Sequence, residues 1–306
     1  SRTLANNSGT TPITRSYTYQ PTTGRLAGVV TKRAGTTLQS DSYTYNDAGN
    51  PTTLTITDPA GASNKSCYTY DTLARLTHAW TVTAGAGCTD TDTTTAAAPA
   101  GYNTTWTYNP DGNITSIRRG ATTTAFSYGT TTHPHAVTSG PGTYTYDADG
   151  VMATRNGANL DADAFGLIEK VGATTLIHEP DGTRLARITP DGTVTLSIAG
   201  QEIDAKAGAI TAARRWYTQA GTTLAVRINT QLIWQVNDRQ NTVDLQITNG
   251  AAGTITRTYT DPYGRPRGTT TPATDHWWLG ATTDPTTGLT HLGHRYYDTT
   301  TNRFIS

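Results

Sequence analysis

Apolar and aromatic residues in this chain recur on alternate positions, in short runs closed by Asx, Pro and Gly. Ser16-Tyr17-Thr18-Tyr19 leads into Gln20-Pro21-Thr22-Thr23-Gly24 and then Arg25-Leu26. The unit returns at Tyr43-Thr44-Tyr45-Asn46, at Tyr68-Thr69-Tyr70-Asp71, at Trp106-Thr107-Tyr108-Asn109 and at Tyr144-Thr145-Tyr146-Asp147. A degenerate copy sits at Phe126-Ser127-Tyr128-Gly129. Aromatic-Thr-aromatic is period-2 alternation, which puts both rings on one face of a strand and Thr on the other. The Asx-x-x-Gly that follows is a turn, with Gly where φ must be positive, and an aliphatic residue opens the returning strand. Ala74 stands at that Gly position in the third copy. The second tyrosines are 26, 25, 38 and 38 residues apart, so each repeat is a hairpin and the longer intervals carry insertions. Residues 84–100, rich in Thr, Ala and Gly, are the candidate insertion.

Beyond residue 160 the pattern stays β. Ala173 to Ile188 reads as strand, Pro180-Asp181-Gly182 turn, strand, and Thr189-Pro190-Asp191-Gly192 repeats the turn at once. Trp216-Tyr217 and Leu232-Ile233-Trp234-Gln235 continue the meander, and Tyr259-Thr260-Asp261-Pro262-Tyr263-Gly264-Arg265 is a last, fuller unit. The final segment is the densest: Asp284-Pro285-Thr286-Thr287-Gly288 is a tight turn, Leu289 to Tyr297 is extended, and Asp298 to Asn302 is a second turn before Arg303-Phe304. The expectation is an all-β chain of tandem hairpins, with repeats over 1–160, further hairpins over 161–257 and a terminal block over 258–306.

Composition sharpens this picture. Thr accounts for 68 of 306 residues and Gly for 30, a mixture that by itself suits disorder or a glycosylated stalk. Sixteen Tyr and six Trp argue for folded, half-buried sheets instead. The 23 basic and 23 acidic residues cancel and are spread along the chain, so no basic stripe favours nucleic acid. No apolar run reaches membrane-spanning length and no secretory signal opens the chain, whose start reads as the middle of a longer protein. Cys67 and Cys88 are too few for a zinc site, and each lies beside an expected strand, so one structural disulfide or two free thiols are the alternatives. No cofactor is implied. His133 and His135, or His291 and His294, have metal-like spacing without further ligands nearby, and Asp161, Asp163, Asp181 and Asp191 are explained as turn residues rather than calcium ligands. Trp277-Trp278 suits core packing better than sugar stacking.

The hairpin units resemble the Tyr-x-Tyr-Asp-x-x-Gly-Arg-Leu signature of the YD-repeat, or Rhs, family. Residues 258–306 resemble its repeat-associated core in Tyr259-Thr260-Asp261-Pro262-Tyr263-Gly264, Trp277-Trp278-Leu279-Gly280, Asp284 to Leu289, Arg295-Tyr296-Tyr297-Asp298 and Arg303-Phe304. The closest flavour is that of actinobacterial polymorphic-toxin shells, with teneurin shells more distant. The resemblance implies a secreted or surface-associated bacterial protein whose sheet spirals into a hollow shell around its own C-terminal toxin or effector. The core block would then be the plug, and the wider partners a delivery machine or cell-surface glycans. It further implies aspartyl-type self-cleavage beyond the core, for which Arg295 and Asp298 match the family's Arg-x-x-Asp, with Arg295 in position to keep a carboxylate ionised. The second aspartate and the cleaved bond of that motif would lie past Ser306. Thr299 and Asn302 depart from the family's Pro and Gly, and Asp238 to Thr242 resembles a degraded Asp-His-x-Gly-Ser/Thr element. A container, a surface-recognition module using the same sheet, and an enzyme acting only on itself are the three functional alternatives.

Overall fold

The computed structural model describes residues 2–4, 12–83, 85–89, 99–129, 132–250 and 253–305. Most of the candidate insertion at 84–100 lies outside the described residues. The chain divides into two compact units, 1–124 with 266–269, and most of 125–306.

The first unit holds a ten-stranded sheet that runs in sequence order from Arg2–Leu4 to Thr122–Ala125. The second holds a thirteen-stranded sheet from Tyr144–Tyr146 to Ile255–Arg257 and a four-stranded sheet from Thr282–Thr283 to Arg303–Phe304. Within each sheet the strands follow sequence order and pair antiparallel, which is the all-β succession of hairpins that the period-2 pattern implies.

One backbone device recurs in each repeat. The strand before the turn keeps strict alternation, while the returning strand carries one extra residue just after its aliphatic residue. Thr44 pairs Thr53 but Tyr45 pairs Pro51, which leaves Thr52 as the bulge. Thr69 pairs His78 and Tyr70 pairs Leu76, and Thr107 pairs Ser116 and Tyr108 pairs Ile114. A bulge removes backbone groups from the ladder. Next to each bulge the following repeat adds a bond of its own: Tyr45 Oη donates to Leu26 O, Tyr70 Oη to Pro51 O and Tyr108 Oη to Leu76 O, each at 2.8 Å. The arginine of the signature points the same way. Arg25 donates to Asn46 O at 3.1 Å and Arg75 to Asn109 O at 3.3 Å, and Arg75 lies 4.6 Å from the Tyr108 ring centre. On the opposite face the threonine hydroxyls pair across the hairpin, Thr44 with Thr53 at 2.7 Å and Thr107 with Thr115 at 2.7 Å.

The turns are closed by the Asx side chain. Asn46 Oδ1 accepts from Asn50 N at 2.9 Å, Asp71 Oδ1 from Arg75 N at 2.9 Å and Asp147 Oδ1 from Val151 N at 2.9 Å. The fourth turn residue is left-handed, with φ of 90° at Gly49, 84° at Gly112 and 59° at Ala74. A Cβ in that region costs on the order of 1 kcal/mol. Cys67, fully buried in the strand Ser63–Tyr70, forms a disulfide with Cys88, in the segment after the strand Leu76–Val82. The bridge thus joins a strand to a loop rather than two neighbouring strands, and it lies beside Trp80 and Val82.

Ala74→Gly relieves the left-handed strain without touching a contact in the core. It should stabilise the protein by about 1 kcal/mol, read as a higher urea midpoint at unchanged slope.

Candidate functional site

The terminal block seats on the thirteen-stranded sheet through buried polar side chains. Asp284 opens the turn Asp284–Gly288 and is fully buried. Its Oδ1 accepts from Thr286 N at 2.8 Å and Thr287 N at 3.0 Å, which shapes the turn, while its Oδ2 receives Arg187 at 3.1 Å and Arg184 at 3.5 Å. Asp298 opens the second turn and is also fully buried. Its Oδ1 accepts from Thr300 N at 2.8 Å and Thr300 Oγ1 at 2.6 Å, and its Oδ2 accepts from Arg155 Nε at 2.8 Å. Arg155 also donates to Thr287 O at 3.0 Å, so one guanidinium ties the two turns together.

This geometry corrects the pairing inferred for Arg295 and Asp298. They sit three apart on the strand Arg295–Asp298, an odd separation that sends their side chains to opposite faces. Arg295 is exposed and lies 3.9 Å from the Phe304 ring centre, and the partner of Asp298 is Arg155. Asn302 takes φ 58° in the second turn, as Asn tolerates in place of Gly. Asp238 to Thr242 is a further Asx turn, and Thr242 Oγ1 accepts from Leu279 N at 3.1 Å. Trp277 and Trp278 are buried against Val243 and Tyr297. The Trp278 indole covers Gly264 so closely that a Cβ there would fall 2.3 Å from a ring atom.

A second cluster lies around a cavity of about 500 Å³ whose lining includes Arg184, Glu202, Trp216, His276, Thr282 and His291. Glu202 Oε1 accepts from Ser197 Oγ at 3.0 Å and lies 3.4 Å from His276 Nε2 and 3.7 Å from Arg184. The His276 ring lies against Trp216, 4.4 Å between ring centres and tilted by 32°. Burial pushes the Glu202 carboxyl up, but His276, Arg184 and Ser197 together outweigh it and leave it below the ordinary carboxylate range. Burial and the nearby Glu202 charge raise Asp275. The lining residue His291 stacks on the Tyr296 ring at 4.8 Å, and His178 Nε2 lies 2.8 Å from Tyr296 Oη. Burial, followed by the Arg184 and His178 charges, lowers His291 to about 4, and burial and Arg184 lower His178. His133 and His135 lie at a turn rather than on a strand.

With this geometry in place, comparison with solved structures gives one consistent answer. The chain matches the crystal structure of TcdB2-TccC3 with a TM-score of 0.77 at 21% identity, over 96% of this chain and 17% of that one. TcdB2-TccC3-Cdc42 matches equally, and TcdB2-TccC3 without its hypervariable C-terminal region matches at TM-score 0.76 and 21% identity, with the same coverage of both chains. The fold resembles that of part of TcdB2-TccC3. No family model and no curated protein matches the sequence.

Arg155, Arg184, Arg187 and Glu202 were not singled out by the sequence. Arg184 and Arg187 are three apart on one strand, which by simple alternation sends them to opposite faces. A bulge at Leu185 puts them on the same face, since Leu176 pairs Arg187 while His178 pairs Arg184. The one available signal was the repeat grammar itself, which places a bulge after the turn at Gly182.

Two measurements follow. Arg155→Met leaves the Asp298 charge buried and unpaired, at a cost of about 3–5 kcal/mol, whereas Arg295→Met on the exposed face should cost under about 1 kcal/mol; urea unfolding separates the two. His291 titrates near 6.5 when unfolded and at about 4 when folded, so the unfolded chain takes up the extra proton between those values. Stability is therefore full above 6.5 and is lost as pH falls toward 4, by up to about 3 kcal/mol. His178 acts in the same direction. Unfolding midpoints across this range should fall steeply in the native protein and less steeply in His291→Gln.

Proposed function

We propose that this chain is a stretch of a YD-repeat, Rhs-type encapsulating shell, and that residues 258–306 form its plug. The shell would enclose a C-terminal toxin or effector polypeptide of a secreted bacterial protein. The observation that carries the reading is the fold correspondence over 96% of the chain with TcdB2-TccC3, one solved form of which lacks a hypervariable C-terminal region. The tandem hairpins coupled by tyrosine support it, because a sheet extended repeat by repeat pairs its own edges as it grows. In this reading a lumen holds its cargo by enclosure, so the cargo needs no specific high-affinity site.

Self-cleavage is the finer part of the proposal. Acid-type hydrolysis needs two carboxylates in different protonation states. Asp298, fixed by Arg155 and Thr300, is the one we assign from this chain, and Arg295 has no part in positioning it.

The test is intact-mass analysis and C-terminal sequencing of the full-length gene product, with protease challenge before and after denaturation. Enclosure predicts a C-terminal polypeptide that resists protease until the shell unfolds. Self-cleavage predicts a new terminus beyond Ser306 that disappears in Asp298→Asn. A C-terminal polypeptide digested at once in the folded protein would exclude the container and leave surface recognition.

A further inference from the structure

We propose that Glu202, Asp275 and His276 form a binding site for one divalent transition-metal ion of the zinc class, joining the thirteen-stranded sheet to the terminal block. Glu202 comes from the strand Gln201–Lys206, and Asp275 and His276 from the segment that leads into the terminal strands. One ligand atom from each lies within 4.8 Å of the other two.

The charge count of the cluster points to a cation. Arg184 faces Glu202 and Asp284, Arg187 faces Asp275 and Asp284, and Arg214 faces Glu202 and Asp204. Three guanidiniums thus face four carboxylates, of which Glu202 and Asp284 are fully buried and Asp204 and Asp275 partly so. The hydrogen-bond geometry points the same way. Glu202 is 2% exposed, yet its Oε2 accepts no hydrogen bond, and Arg214 comes no closer to it than 3.8 Å. Asp275 Oδ1 is likewise buried without a hydrogen bond, and Arg187 stands 3.8 Å from the other oxygen. A buried carboxylate oxygen without a donor costs about 1–3 kcal/mol or more. A cation held between the two carboxylates would satisfy both oxygens and cancel their repulsion.

The ligand set selects the class. One imidazole nitrogen with two carboxylates suits zinc and its neighbours, whereas magnesium and calcium take oxygen alone. His276 Nε2 lies 3.4 Å from Glu202 Oε1 and 2.6 Å from Thr282 Oγ1, so the metal must displace the Thr282 contact and take the nitrogen in its neutral form. Glu202, His276 and Thr282 all line the 500 Å³ cavity, which supplies the route of entry. A metal here binds only when the terminal block is seated, and so stabilises that arrangement.

The test uses the full-length protein stripped by chelator and titrated with ZnCl₂ by calorimetry, with MgCl₂ as the contrast. The expected result is a saturable zinc site that magnesium does not fill, weakened about tenfold or more in His276→Ala and in Glu202→Gln, and unchanged in the His133→Ala, His135→Ala double variant. Should the cluster variants fail to fold, Co²⁺ added to the unmutated protein and anomalous scattering from zinc-soaked crystals locate the ion directly. Absence of saturable binding, equal affinity in His276→Ala, or an anomalous peak elsewhere alone would overturn the site.

Discussion

The tyrosine hydroxyl that each repeat gives to the one before it is the interaction on which the first sheet depends. Tyr45, Tyr70 and Tyr108 reach back to the preceding strand, to carbonyls of the residues just before its bulges. Each such bond contributes only about 1 kcal/mol net. Its value lies in registration: it joins the second aromatic of one unit to the aliphatic residue of the preceding unit. The arginine of that preceding unit then meets the next Asx turn. The consensus spacing is therefore a description of one coupling between neighbours. An array of this kind gains its stability from nearest-neighbour terms, so it can lengthen without a new fold.

The terminal block is held by different physics. Its two turns place Asp284 and Asp298 in full burial, and arginines of the sheet meet them there. Buried ion pairs recover little net stability, because desolvation cancels most of their attraction. They do penalise any other docking, since a shifted block would leave a carboxylate without its guanidinium. The aromatic contacts then fill the space beside this framework, with Trp278 over Gly264 and Tyr296 between two histidines. Arg155 is the clearest case of the arrangement, because it contacts Asp298 and the backbone of the other turn at once.

The polarity of this seat makes it sensitive to pH through its buried imidazoles. The charged groups of the repeats, such as Asp71 and Arg75, sit at partly exposed turns, whereas the seat combines carboxylates, guanidiniums and imidazoles in a more buried layer.

The sequence by itself determined the elements. Aromatic-Thr-aromatic alternation, the Asx-x-x-Gly turns and the aliphatic residue after each turn specify strand, turn and return strand locally, because all three are set by φ preferences and by period 2. The left-handed Ala74 and the two tight turns of the terminal block were legible for the same reason. Which charge meets which was decided only by the tertiary structure. Arg155 and Asp298 are separated by 143 residues, and Arg187 and Asp284 by 97, with no local pattern linking them. Arg295, three residues away and of suitable charge, is turned away from Asp298 by strand parity. A bulge of one residue reversed that parity for Arg184 and Arg187. Local preferences fix backbone conformation, but pairing of distant charges depends on register summed over many strands, and a single inserted residue changes its outcome.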